Sequence, residues 1–295
     1  MKDIELKGHT EKIININFVK ENKLISADEK GTVLLWDTEN KSIINKFEGV
    51  RSKLSFVVVD KYLSLMLTSS GHSVFSWNIG TAETLSEYKF SDELIGKDTK
   101  LLALSPNGKF GAWKGDKKII KIFNAETLVS MFSIEKDLKG NPNVLSFSEN
   151  SKFLYIGYDN NIATLDLASE LIITDIEASK DSIIEILPIL NNKYLLLLFK
   201  DKNYVGIYNL NAQKIENSFY GHSESIISIQ YLEEENLVAS VDKTNSVKIW
   251  TVPEKEQSKK YFFNDKNVIQ ASINPKGDQL AFITTKGDKI TIRHL

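Results

Sequence analysis

The sequence predicts an all-β chain built from seven copies of one four-stranded antiparallel unit. Three observations carry this. A short aromatic-containing segment recurs at a nearly constant interval. Each interval repeats the same order of alternating segments and turns. Helical periodicity is missing, with Val, Ile, Tyr and Phe at the apolar positions.

The recurring segment is "TVLLWD" (Thr32 to Asp37). "SVFSWN" (Ser73 to Asn78) and "SVKIWT" (Ser246 to Thr251) repeat it, and "IIKIFN" and "YVGIYN" do so with Phe and Tyr for Trp. "IATLD" follows it loosely, and the C-terminal "ITIRHL" places an arginine in the slot. The slot residues are Trp36, Trp77, Phe123, Leu165, Tyr208, Trp250 and Arg293, at intervals of 41, 46, 42, 43, 42 and 43.

Within each interval an alternating apolar segment comes first, such as "IININF" (Ile13 to Phe18). A turn follows; Pro106-Asn107-Gly108 and Pro275-Lys276-Gly277 supply the dihedrals that a short hairpin needs. Then come a second strand, a polar turn, the slot strand and a more polar fourth strand such as "SIINKFEG". "YLLLLF" (Tyr194 to Phe199) is too short to cross a bilayer and reads as a buried strand. "PEKEQSKKYFF" (Pro253 to Phe263) reads as a charged outer connection.

One four-stranded sheet cannot bury both faces alone, whereas seven stacked face to face around an axis can, which predicts a seven-bladed β-propeller. "GHTEKIININF" with "ISADEKGTVLLWD", and "GHSESIISIQY" with "ASVDKTNSVKIW", resemble the Gly-His start and Trp-Asp end of WD40 repeats. The likeness extends along essentially the whole chain, most closely in the first and sixth repeats. It implies that residues 1–295 form one domain. It also implies that the leading strand "KDIELKG" completes the last blade, removing an exposed sheet edge.

The resemblance gives the two Gly-His histidines a structural role, in a chain of hydrogen bonds to a strand hydroxyl and a buried indole. The expected sets are His9 with Ser26 and Trp36, and His222 with Ser240 and Trp250; Trp77 is a further structural residue. The family's turn aspartate lies six residues before the Trp. Here that place holds Lys30, Gly71 and Thr244, and only Asp159, ahead of Leu165, matches it. Asp28 and Asp242 stand two residues further back, so the network is expected to be partial.

Composition limits the chemistry. The 295 residues are 42% hydrophobic and 26% charged, enough for a large core, and the net charge of -2 supplies no global field for nucleic acid. There is no cysteine, which excludes disulfides, thiolate metal sites and a cysteine nucleophile, and suits a reducing intracellular compartment. The N-terminus is charged and lacks the apolar core of a signal peptide. No phosphate-binding glycine loop, nucleophile elbow or EF-hand spacing occurs. His72 beside Ser70 lacks an orienting acid, and the acidic runs fall in turns. No catalytic residue, cofactor or metal site is expected, and a hydrolase would need carboxylates and His to converge in the central channel.

Partner binding is expected on loops. In the family, the loop entering each inner strand often carries partner contacts, and the position before the first apolar residue gives Lys12, Lys53, Asp98, Asn141, Ser182, Ser225 and Asn267. Arg51 is the nearby anchor candidate, and "FSDELIGKDTK" (Phe90 to Lys100) lengthens the longest repeat. The primary reading is a monomeric scaffold for protein or peptide partners, without membrane insertion. The second is an RNA-associated subunit using Arg51, Lys53 and the Lys114 to Lys118 loop; only two arginines occur in the chain, which argues against it.

Overall fold

The computed structural model describes residues 3–50, 54–70, 73–89, 101–115, 118–135, 138–233, 235–244, 246–252 and 268–295, and the backbone of 257–262. After the short β1 (Ile4–Leu6), the first repeat contributes β2 (Ile13–Lys20), β3 (Lys23–Asp28), β4 (Val33–Asp37) and β5 (Ser42–Phe47). The second contributes β6 (Leu54–Val59), β7 (Leu65–Ser70), β8 (Ser73–Asn78) and β9 (Thr84–Lys89). The third holds β10 (Leu102–Leu104), β11 (Phe110–Lys114), β12 (Ile120–Asn124) and β13 (Ser130–Ile134), and the fourth β14 (Val144–Phe147), β15 (Phe153–Tyr158), β16 (Asn161–Asp166) and β17 (Leu171–Glu177). The fifth has β18 (Ile183–Ile189), β19 (Tyr194–Phe199), β20 (Val205–Asn209) and β21 (Lys214–Phe219). The sixth has β22 (Ile226–Leu232), β23 (Leu237–Asp242), β24 (Ser246–Thr251) and β25 (Gln257–Phe262), and the last β26 (Val268–Ile273), β27 (Gln279–Thr284) and β28 (Ile290–His294).

Six sheets run in chain order, and the seventh has the order β1-β28-β27-β26. The leading strand therefore completes the last sheet, with Ile4, Glu5 and Leu6 opposite Ile292, Thr291 and Ile290. Burial explains the order within a sheet. β3 is almost wholly buried, β4 nearly so, while β5 pairs on one side only and is largely exposed. The same tolerance of an outer position explains a difference from the sequence reading. The charged segment at 257–262 is not a mere connection; it forms β25 and pairs with β24.

The slot residues share one register. Trp36, Trp77, Phe123, Leu165, Tyr208, Trp250 and Arg293 face Leu24, Met66, Gly111, Leu154, Leu195, Val238 and Leu280 on the preceding strand. Gly111 is required by close packing, because a Cβ there would overlap the Phe123 ring.

Two bulges recur. Between inner strands and their partners, the register shifts between Ile13 and Asn15, Ile183 and Glu185, Ile226 and Ser228, and Val268 and Gln270. The residues left over are Ile14, Ile184, Ile227 and Ile269. On the outer strands the shift falls opposite the slot and leaves over Ile44, Leu85, Met131 and Ile173, all exposed. A bulge leaves its extra residue outside the ladder, which is how these apolar side chains reach the surface.

The chain forms two compact units. One comprises Met1–Leu54, Asp201–Tyr204 and Phe219–Leu295, and its core includes Leu6, Ile13, Phe18, Trp36, Ile283 and Ile292. The other comprises Ser55–Lys200 and Val205–Ser218, with a core that includes Ile122, Phe147, Ile156, Tyr158 and Leu165.

Candidate functional site

The Gly-His segments build two polar chains, both within the first unit. The Trp36 indole N–H donates to Ser26 Oγ at 2.7 Å, and Ser26 Oγ lies 2.6 Å from His9 Nε2. His9 Nδ1 lies 2.9 Å from Asp28 Oδ2. Oδ1 of Asp28 accepts the backbone N–H groups of Lys30 and Thr32 at 3.1 and 2.9 Å. The second chain repeats the first: Trp250 to Ser240 at 2.9 Å, Ser240 to His222 Nε2 at 2.7 Å, and His222 Nδ1 to Asp242 at 2.9 Å. Burial works to raise the Asp242 pKa, but hydrogen bonds from Thr244, His222 and Ser246 outweigh it and hold the carboxyl below its usual range.

Both chains are complete, whereas the residue spacing predicted partial ones. Asp28 and Asp242 sit at the ends of β3 and β23. The longer turns that follow fold back onto them, so eight residues rather than six separate each from its Trp. Asp159, which does match the six-residue spacing, lies in a turn with φ of 48° and accepts from Ile183 N–H through its carbonyl at 2.6 Å. Trp77 donates to Thr68 Oγ1 at 2.9 Å.

Ser, His and Asp in this order resemble a nucleophile triad in residue type. The geometry opposes that use. Ser26 is 0% exposed and its Oγ accepts the Trp36 N–H, so no substrate carbonyl can approach it. In the arrangement that satisfies every atom, indole donates to serine, serine to Nε2, and Nδ1–H to aspartate. This requires neutral His9. Desolvation lowers the His9 pKa, against the raising influence of Asp28. A depressed histidine pKa adds stability that is full above the unfolded value, about 6.5, and is lost as pH falls through the folded value. Urea midpoints at pH 7.5 and 5.0 should therefore fall further for the wild type than for His9→Gln. An equal fall would refute this role.

Among the described residues no three His, Asp or Glu side chains come close enough to hold a metal. No helix is long and apolar enough to cross a membrane.

The loop positions divide. Arg51, Lys53, Asp98 and Asn267 lie outside the described residues. Lys12, Ser182 and Ser225 occupy equivalent places. Their carbonyls accept from Glu29, Lys200 and Lys243 N–H at 2.9, 2.8 and 3.0 Å. Asn141 is exposed ahead of β14. In the basic loop, burial lowers the Lys114 pKa, and Lys118 Nζ donates to the Lys139 carbonyl at 3.0 Å.

The inner-strand bulges supply what the residue pattern missed. Within the first unit, β22, β26 and β2 are neighbours. Gln230 accepts from Ile273 N–H at 3.0 Å, and Gln270 accepts from Ile16 N–H at 3.0 Å. Ile227, Ile269 and Ile14 occupy the same bulge position on these three strands, one residue past the strand's first apolar residue. Ile227 and Ile269 are 37% and 40% exposed. Two ion pairs join residues that adjoin these strands, Lys30 with Glu11, and Lys243 with Asp201 at 3.3 Å. The available signal was the doublet that breaks alternation: Ile13-Ile14, Ile226-Ile227 and Val268-Ile269.

Residues 3–37 and 213–251 match the family model described as WD domain, G-beta repeat. No curated protein matches the chain. Among solved structures, the crystal structure of the Myceliophteria thermophila Cps50 (Swd1) β-propeller domain is similar. The TM-score is 0.80 at 15% identity, covering 99% of this chain and 100% of that one. With seven four-stranded sheets and a leading strand that completes the last of them, the chain has the seven-bladed β-propeller fold, and residues 3–37 and 213–251 carry WD40-type repeats.

Proposed function

We propose that the chain is a non-catalytic scaffold that docks a protein or peptide partner, as a subunit of a larger intracellular assembly. The observation that carries this is the alignment of Ile14, Ile227 and Ile269 on bulges of three adjoining inner strands, beside Lys12 and Ser225. Apolar side chains held outside the ladder by a rigid sheet give a partner anchors that are already ordered, so docking needs little backbone movement. The three isoleucines suit an uncharged, apolar segment at the centre of the contact, with Lys12 at its rim. This differs from the polar loop set read along the chain, whose small side chains provide few strong anchors.

The test is affinity purification from the native host with mass spectrometry. The wild type is compared with Ile14→Asp/Ile227→Asp/Ile269→Asp and with an outer-strand control, Lys214→Glu. Central apolar anchors are worth about 2 kcal/mol or more each, so the triple variant should lose its principal partner while the control keeps it. Partner lists identical in all three, with unchanged melting temperatures, would refute the assignment.

A further inference from the structure

We propose that the cleft beside Tyr208 binds an uncharged two-ring organic molecule that offers a hydrogen-bond acceptor to the Tyr208 hydroxyl. The cleft lies in the second unit, has a volume of about 290 Å³, and is lined by residues of β15, β16, β17 and β20 and two adjacent turns. A cavity of about 150 Å³ admits one benzene ring, so this one suits two fused rings.

The polar cue comes from the repeat itself. In three sheets the slot indole finds a hydroxyl two residues past the position opposite it: Ser26, Thr68 and Ser240. In the fifth repeat Tyr208 faces Leu195, so the corresponding residue is Leu197. Tyr208 is 1% exposed and its hydroxyl has no hydrogen-bond partner among the described residues. A buried hydroxyl without a partner favours a ligand that supplies one.

The rest of the wall sets the ligand's charge and shape. No Asp, Glu, Lys, Arg or His lines the cleft. Burial pushes the phenols of Tyr155 and Tyr208 up to about 12, with Glu149 adding to the shift at Tyr155, so both walls stay neutral. The outer-strand bulge aims Ile173, 52% exposed, at the mouth, beside the exposed carboxamides of Asn211 and Gln213.

Naphthalene and quinoline test this, being alike in size and differing by one ring nitrogen that accepts a hydrogen bond and is unprotonated at pH 7.5. Ligand-observed NMR titration of the full chain should show saturable binding of both, with quinoline about tenfold tighter. Tyr208→Phe, which keeps the ring, should remove that preference and retain naphthalene. Ile173→Glu, at an exposed position, should weaken both about tenfold. Absence of saturable binding by either ring overturns the proposal, as does a quinoline preference that survives in Tyr208→Phe. Binding of N-acetylphenylalaninamide without either ring would make the cleft a protein-docking site and also overturn it.

Discussion

Trp250→Ala is expected to lower stability by about 3–5 kcal/mol, the range for removing a large aromatic from a core. Three losses coincide. The ring is 3% exposed and stacks on Phe219 with centroids 5.1 Å apart, so its removal opens a cavity. Its N–H is one donor to Ser240, so the Ser240–His222–Asp242 chain loses its first member. Lys248 lies over the ring at 5.5 Å and loses that contact. Trp250→Phe separates these effects. It keeps most of the ring packing and removes the N–H, so it should cost only about 1 kcal/mol. Urea denaturation of both variants gives the comparison. A loss under about 0.5 kcal/mol for Trp250→Ala, typical of surface changes, would show that the slot does not hold its blade.

Deletion of residues 1–7 is the second large effect. The deletion removes Leu6, 2% exposed, whose loss alone is worth about 2–5 kcal/mol by analogy with Leu→Ala changes. It also exposes the edge of β28 and strips both ion pairs that tie the strand down. Arg293 donates to Asp3 through Nε at 3.0 Å and through Nη2 at 2.5 Å, and Lys289 bonds Glu5. The melting temperature should fall by roughly 5–15 °C, given a few degrees per kcal/mol for a chain of this size. An unchanged melting temperature would show that the strand does not close the last sheet in solution. Acid gives a second reading of the same joint. The Arg293 hydrogen bond holds the Asp3 carboxyl below the usual carboxylate range. A depressed carboxyl pKa adds stability present above the unfolded value and lost as pH falls through the folded one. Asp3→Asn should therefore weaken the protein at neutral pH and lose less on acidification than the wild type.

The arginine in this joint shows how far the residues alone carry. Arg293 falls in the seventh slot by count, which placed it on the third strand of the last blade. Why an arginine is tolerated there came from the pairing of β1 with β28. That pairing sets Asp3 within reach, while the pairing of β27 with β28 lays the guanidinium over Phe282 at 5.3 Å.

The seven-fold period, the four strands per unit and the extra leading strand were legible because they rest on local alternation and on turn residues. Each is a property of a short segment. The fully buried "YLLLLF" was legible for the same reason, since an unbroken apolar run of strand length has to lie inside. The completed aspartate networks, the isoleucines lifted by bulges and the unpartnered Tyr208 hydroxyl were decided only by tertiary structure. A bulge is a mismatch between two strands, and a hydrogen-bond partner is fixed by register. Asp28 reaches His9 because a turn two residues longer still closes on the end of β3, and Tyr208 finds no acceptor among the described residues because register sets Leu197 where three other repeats place a hydroxyl. Local residue patterns were enough to give the strands and their order except for β25, whose charged segment reads as a connection until its pairing with β24 is seen. Pairing between residues distant along the chain determined which side chains meet and which are left for a partner.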